Sequence, residues 1–294
     1  MTGHVSRSPL FLLSAALMLG ACSPASGSPC FVSGTRLPDR QAVLSAPDLG
    51  ASARSLMEAL FDRDADAVRR LLRSDPALAN VSARKSVDPL TVAVAMCDKG
   101  LVDTLLDSGA APDGPNKEAP LSLAIRATEP WFAARLLEAG ASADPVRADF
   151  MPLDAAIALN SAGAVRLLLD HGANVNFAGR LGDRPLHAAI DMERYRLAEL
   201  LLDRGADPWA IDAGGASLGH AVAQPLTRPD AAEDQARQRL QAKVRALGWP
   251  DPAPTPREIR ALALQGAWPP EAARKAGAPA LRPELLEKIR AATR

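Results

Sequence analysis

One pattern, repeated four times with constant internal spacing, constrains this chain more than its composition does. Pro89-Leu90, Pro120-Leu121, Pro152-Leu153 and Pro185-Leu186 recur at steps of 31, 32 and 33 residues. Each Pro is followed four residues later by an Ala (Ala93, Ala124, Ala156, Ala189) and twenty residues later by a Gly (Gly109, Gly140, Gly172, Gly205). A Leu-Leu pair stands shortly before each Gly, and an Ala directly after it. Only the stretch from Gly to the next Pro varies in length, as a surface loop can. Pro suits the first turn of a helix, where its missing N–H is harmless. The Ala four residues on shares a helix face with the Pro and leaves room for a neighbouring helix. The Leu pair lies on a second helix, which Gly ends in the left-handed conformation. The spacing predicts an all-α helix–turn–helix unit followed by a loop. One unit cannot bury its own apolar face, so units stack into a solenoid with a shared core.

These residues resemble the ankyrin repeat. Arg184-Pro185-Leu186-His187-Ala188-Ala189 is similar to its Thr-Pro-Leu-His-x-Ala signature. His171-Gly172-Ala173-Asn174-Val175-Asn176 and Arg204-Gly205-Ala206-Asp207 are similar to its helix end and hairpin start. The resemblance implies hairpin loops between units, and protein partners bound through the loop tips and the concave face of the first helices. There are departures. The residue before Pro, usually a capping Thr in the family, is Asp88, Ala119, Met151 or Arg184, and only Asp88 is a good N-cap. The signature His appears only at His187, with Thr91, Ser122 and Asp154 in the other units. Divergent caps predict modest stability, since each lost cap costs about 1 kcal/mol.

The solenoid is expected over residues 51–248. In its N-terminal cap, Leu56, Ala59 and Leu71-Leu72 keep the register while Ser55 and Asp75 replace Pro and Gly. A degenerate fifth unit opens at Ala216-Ser217-Leu218-Gly219-His220-Ala221 and is interrupted by Pro225 and Pro229. A polar helix over 230–247, stopped by Gly248, closes the stack. Residues 249–294 form a helical appendage: a Pro-rich linker over 249–254, then short helices over 255–265, 269–276 and 282–292. Thr255 and Glu258 make a capping box for the first of these. The appendage is expected to dock on the last repeat through Trp249, Ile259, Leu262, Trp268, Leu285 and Ile289.

The N-terminus reads as an address. Residues 1–21 carry one charged side chain, Arg7, and an apolar run over 10–19. Ten helical residues rise about 15 Å, half of what a bilayer core of about 30 Å requires. The pattern is that of a secretory signal peptide. Leu19-Gly20-Ala21-Cys22 resembles the bacterial lipobox. That resemblance implies cleavage before Cys22, lipidation of its thiol, and attachment in the periplasm. The non-acidic Ser23 implies the outer membrane. The alternative is an ordinary cleaved signal with an incidental Cys. Residues 22–50, rich in Pro, Ser and Gly, read as a flexible tether. With Cys22 lipidated, Cys30 and Cys97 remain, either as a disulfide or as two separate thiols. A bridge would close a loop of 67 residues and contribute about 4 kcal/mol through chain entropy.

Composition narrows the function. Lys plus Arg and Asp plus Glu are both 34, and removing residues 1–21 leaves 33 against 34. A nucleic-acid partner, which needs a basic excess or stripe, is not expected. The sequence contains no CxxC, HExxH, GxSxG or phosphate-binding Gly loop. No enzyme activity, metal, cofactor or small-molecule substrate is therefore expected, and His171, His187 and His220 read as structural. Arg84, Lys85, Lys117, Arg147, Arg180 and Arg184 fall on the loop tips, alternating with Asp88, Glu118, Asp149, Asp183 and Asp212. This is either solubilising charge or an Arg-rich docking edge. Trp209, in the finger after Gly205, and Tyr195 are anchor candidates, whereas Trp131 is expected to pack within its own helix pair. The expected function is non-enzymatic: an envelope lipoprotein that captures or neutralises a protein partner, as an immunity factor does. Alternatives are a periplasmic stress-related scaffold, a structural envelope protein, and, least favoured, an enzyme using the C-terminal helices.

Overall fold

The computed structural model describes residues 30–83, 87–115, 120–145, 151–227 and 230–293. Among them are sixteen α-helices and one 3-10 turn; the only β pairing is three isolated bridges. A short α1 (Arg40–Leu44) precedes the cap unit, α2 (Ala51–Phe61) and α3 (Ala65–Ser74). Four full units follow: α4 (Pro89–Ala95) with α5 (Lys99–Asp107), α6 (Pro120–Ala124) with α7 (Trp131–Glu138), α8 (Pro152–Ala158) with α9 (Ala162–Asp170), and α10 (Pro185–Asp191) with α11 (Tyr195–Asp203). The fifth pairs α12 (Leu218–Ala223) with the long polar α13 (Ala231–Ala246). The appendage holds α14 (Pro256–Leu264), α15 (Glu271–Lys275) and α16 (Pro283–Ala292). None of these helices is long and apolar enough to cross a membrane.

The repeated residues do what their spacing requires. All four glycines that end second helices adopt positive φ, between 87° and 97°. The cap unit lacks that Gly, and Asp75 leaves its helix in an extended conformation instead. Ala93, Ala124, Ala156 and Ala189 are fully buried between neighbouring first helices. The Leu pairs divide their work: Leu105, Leu136, Leu168 and Leu201 are completely buried, while Leu106 and Leu169 pack only at the margin. Several second helices carry a cap one residue after the inter-helix turn. Asp64, Asp98 and Ser161 accept from the N–H three residues ahead. The turns themselves use a left-handed residue at one register position: Arg63, Cys97, Asn160 and Glu193, with φ of 53° to 56°. The solenoid thus has two opposite edges, a turn edge within units and a hairpin edge between them.

Residues 30–50 correct the tether expectation. Cys30 is disulfide-bonded to Cys97, with Cα atoms 6.4 Å apart, inside the usual range for a bridge. Phe31 makes an antiparallel bridge to Ala127, Val32 N–H donates to Arg126 O at 3.0 Å, and Thr128 N–H donates to Cys30 O at 2.8 Å. The segment then crosses to the cap unit, where Arg40 pairs with Asp62 at 2.5 Å. Val43, Ala46 and Leu49 are buried there, and the Arg54 guanidinium donates to the carbonyls of Leu44 and Leu49. Composition suggested a tether because the contacts that pin Cys30, Phe31, Val32 and Arg40 are long-range. Residues 30–50 are a strap along the turn edge; Cys22 lies outside the described residues.

Candidate partner-binding edge

The hairpin edge is built on a row of side chains that bond each unit to the next. Asn80 accepts from Ala111 N–H at 2.7 Å and donates to Gly109 O at 2.8 Å. Asp113 accepts from Ser142 N–H at 2.7 Å, and Asp144 from Asn174 N–H at 2.6 Å. Asn176 accepts from Asp207 N–H at 2.9 Å and donates to Gly205 O at 2.8 Å. Every accepted N–H belongs to the second residue after a unit-ending Gly. The row holds the fingers at fixed spacing. Its signal, an Asp or Asn four residues after Gly109, Gly140 and Gly172, was present in the sequence.

The position equivalent to this row after Gly205 is Trp209. Its ring stacks on Trp249, centroids 4.8 Å apart and planes within 5°, and meets the edge of Trp268 at 5.6 Å. Trp268 Nε1–H donates to Trp209 O at 3.1 Å. The appendage approaches the last units closely enough to require glycine. A Cβ on Gly219 would collide with the Trp249 ring, and one on Gly215 with Pro256 O. Leu285 covers Gly182, Arg260 donates to Gly214 O at 2.8 Å, and Lys288 donates to Arg180 O. Docking is through Trp249, Ile259, Trp268, Leu285 and Ile289, all buried, with Leu262 packed at the margin.

This rearranges the expected docking residues. Trp209 is buried beneath the appendage and is no solvent-facing anchor. Tyr195 is also buried; its hydroxyl donates to Ala221 O at 3.3 Å, and burial pushes it up to about 12. Arg184 is turned into the stack, pairing with Asp207 at 3.1 Å. Asp88 is buried rather than solvent-facing, in the capping role expected of it. It caps α4 by accepting from Thr91 N–H at 2.8 Å and from the Thr91 hydroxyl at 2.9 Å. Arg84, Lys85, Lys117 and Arg147, with Glu118 and Asp149, lie outside the described residues. Arg180 is exposed, at the apex of a tight turn closed by Gly179 N–H donating to Asp183 O at 2.8 Å. Beside it stands Leu181, 58% exposed, with Phe177 at 38%. Sequence reading missed both because an apolar residue on a loop carries no mark of its exposure. Trp131 is half-buried, edge-on to Phe132, with Lys99 of the preceding unit over its ring at 5.5 Å.

Burial sets the electrostatics. Desolvation pushes Asp88 up to about 6, partly offset by its bonds to Thr91. Asp154 also rises to about 6, through burial and then the negative charges of Asp183 and Asp144. His187 Nδ1 accepts from Arg184 N–H at 3.0 Å, which puts the ring proton on Nε2, facing Ala210 O at 3.3 Å. Burial lowers its pKa, so a neutral imidazole joins the start of α10 to the next hairpin. His171 caps the end of α9 through a contact of 2.9 Å between Nδ1 and Leu167 O. Among the described residues no cluster of His, Cys, Asp and Glu could hold a metal ion.

With this geometry the comparisons with known proteins agree. The family described as ankyrin repeats (3 copies) matches residues 146–212. An ankyrin repeat-containing protein of Treponema pallidum is 34% identical over 121 residues, 40% of this chain and 41% of that protein. A Caenorhabditis elegans homolog of ankyrin repeat and LEM domain-containing protein 1 is 45% identical over 60 residues, 20% of this chain and 8% of its own. Human neurogenic locus notch homolog protein 4 is 38% identical over 110 residues, 36% of this chain and 6% of its own. The chain spans less than half the length of each. The fold is an ankyrin-type solenoid.

Proposed function

We propose that this chain is a non-enzymatic, lipid-anchored binder of the bacterial periplasm, attached through Cys22, that captures and neutralises a protein partner at its hairpin edge. The observation carrying this reading is the finger row. Inter-unit hydrogen bonds fix it, and at the fourth finger it holds Arg180 and Leu181 outward. Fingers fixed at their bases lose less entropy on binding than free loops would. The partner contacts are assigned to Arg84, Lys85, Lys117, Arg147 and Arg180, while Arg184 and Trp209 serve the fold. The lipobox resemblance supports the anchor, and Ser23 supports the outer membrane. An immunity-like role implies that an adjacent gene encodes an exported toxic protein. Co-expression with that protein tests it: the wild-type chain restores growth, and Arg147→Glu with Arg180→Glu abolishes rescue without changing thermal unfolding. Growth arrest with the wild-type chain, or full rescue by the double variant, contradicts the reading. Cys22→Ala is expected to release the protein from membranes.

A further inference from the structure

The strap changes what an anchor at Cys22 would mean. Were residues 22–50 a free tether, the solenoid could turn in any direction. Instead Cys30 is bonded to Cys97 on the turn edge, and its carbonyl accepts from Thr128 one unit further on. Only eight residue steps separate Cys22 from Cys30. Fully extended they reach no more than about 28 Å. Without the bridge the first helical residue, Arg40, lies eighteen steps from Cys22, a reach of about 60 Å.

The turn edge also carries three large exposed apolar side chains. Leu37 on the strap is 44% exposed, and Met192 and Leu226, beside the turn residue Glu193, are 48% and 84% exposed. Its charges are mixed, with Arg40 paired to Asp62 and Lys99 to Glu129. That suits a surface held near lipid by an anchor rather than drawn there by charge.

We propose that the Cys30–Cys97 bridge is a leash-shortener: it holds the turn edge against the lipid surface and directs the hairpin edge away from it. The inference rests on the lipid attachment proposed above and adds an orientation to it. An anchored binder therefore presents its fingers to the compartment.

Energy transfer from an added Trp to dansyl-headgroup lipid tests this. The full chain, exported with its own signal, is purified from membranes and reconstituted in phosphatidylglycerol–phosphatidylcholine vesicles, and transfer from the native Trp residues is subtracted. Leu37→Trp is expected to transfer at least twofold more than Leu181→Trp on the opposite edge. Inserting ten Gly/Ser residues after Ser26 is expected to bring the two probes to the same level, as is Cys30→Ser with Cys97→Ser. The same insertion after Gly34, inside the loop closed by the bridge, is expected to leave the difference intact. Equal transfer from both probes in the membrane-bound, unmodified leash overturns the orientation alone. Recovery of the chain in the soluble fraction overturns the anchor and the leash together.

Discussion

The two ends of the solenoid are closed in different chemistry on different edges. At the N-terminus the strap lies on the turn edge, held by a disulfide, backbone hydrogen bonds and small apolar residues, Val43, Ala46 and Leu49. At the C-terminus the appendage lies on the hairpin edge, held by three of the chain's four Trp residues, with Trp268 also bonded to Trp209 O. The stack explains the difference. Its interior is built from Leu and Ala, which serve where a neighbouring unit completes the core. The fifth unit ends at Gly248, and two residues on stands Pro250, which has no N–H to offer an Asp or Asn from the finger. Trp209 takes the place of that Asp or Asn and supplies apolar area for three short helices that could not build a core alone.

Breaking the C-terminal closure should have the largest effect. Trp268→Ala removes a buried ring and one hydrogen bond, an expected loss of about 3–5 kcal/mol for the appendage and the fifth unit. It is read as a separate early transition in urea unfolding. Trp131→Ala, at a half-buried site, should cost far less. Next comes the N-terminal closure: Cys97→Ser should cost about 2–4 kcal/mol, read as a lowered midpoint that reductant no longer changes.

Between the two closures, Asp88 gives a pH test of the stack itself. Its pKa is raised to about 6 by burial, above an unfolded value of about 4. Its protonated form is therefore favoured by folding. The stabilisation is fully present below pH about 4 and lost as pH rises through 6, an effect on the order of 2 kcal/mol. Stability measured by denaturant should rise as pH falls from 7 to 5, and Asp88→Asn should flatten that rise. The smallest expected effect is Asp113→Ala, which removes one inter-unit bond at about 1 kcal/mol. A loss equal to that of Trp268→Ala would mean that the finger row, not the end closure, dominates stability.

The units were legible because their physics is local. Pro at a first turn, Ala at a helix crossing and Gly in left-handed φ each announce themselves by spacing, and so does the capping box at Thr255, where Glu258 accepts back from Thr255 N–H at 2.8 Å. The docking of the appendage was legible in its apolar residues. What could not be read was which side of a residue faces protein. Trp209, Tyr195 and Arg184 stood at positions that suggested solvent, and each is used inside the fold, whereas Asp88 caps α4 as its place before Pro89 announced. The partners of the first three lie well along the chain: Asp207 for Arg184, Ala221 for Tyr195, and Trp249 and Trp268 for Trp209. Leu181 and Phe177 failed in the opposite sense, exposed where composition suggested nothing. Gly215 and Gly219 were a usable signal, since neither ends a repeat helix and both mark close approach to the appendage.

Native-state hydrogen exchange tests the C-terminal closure most directly. The amides of α14 and α16 should open with the same free energy as those of α12 and α13, and Trp268→Ala should lower all four together. Appendage amides that exchange at the rate of a free peptide, while α12 and α13 stay protected, would contradict a solenoid closed by its own C-terminus.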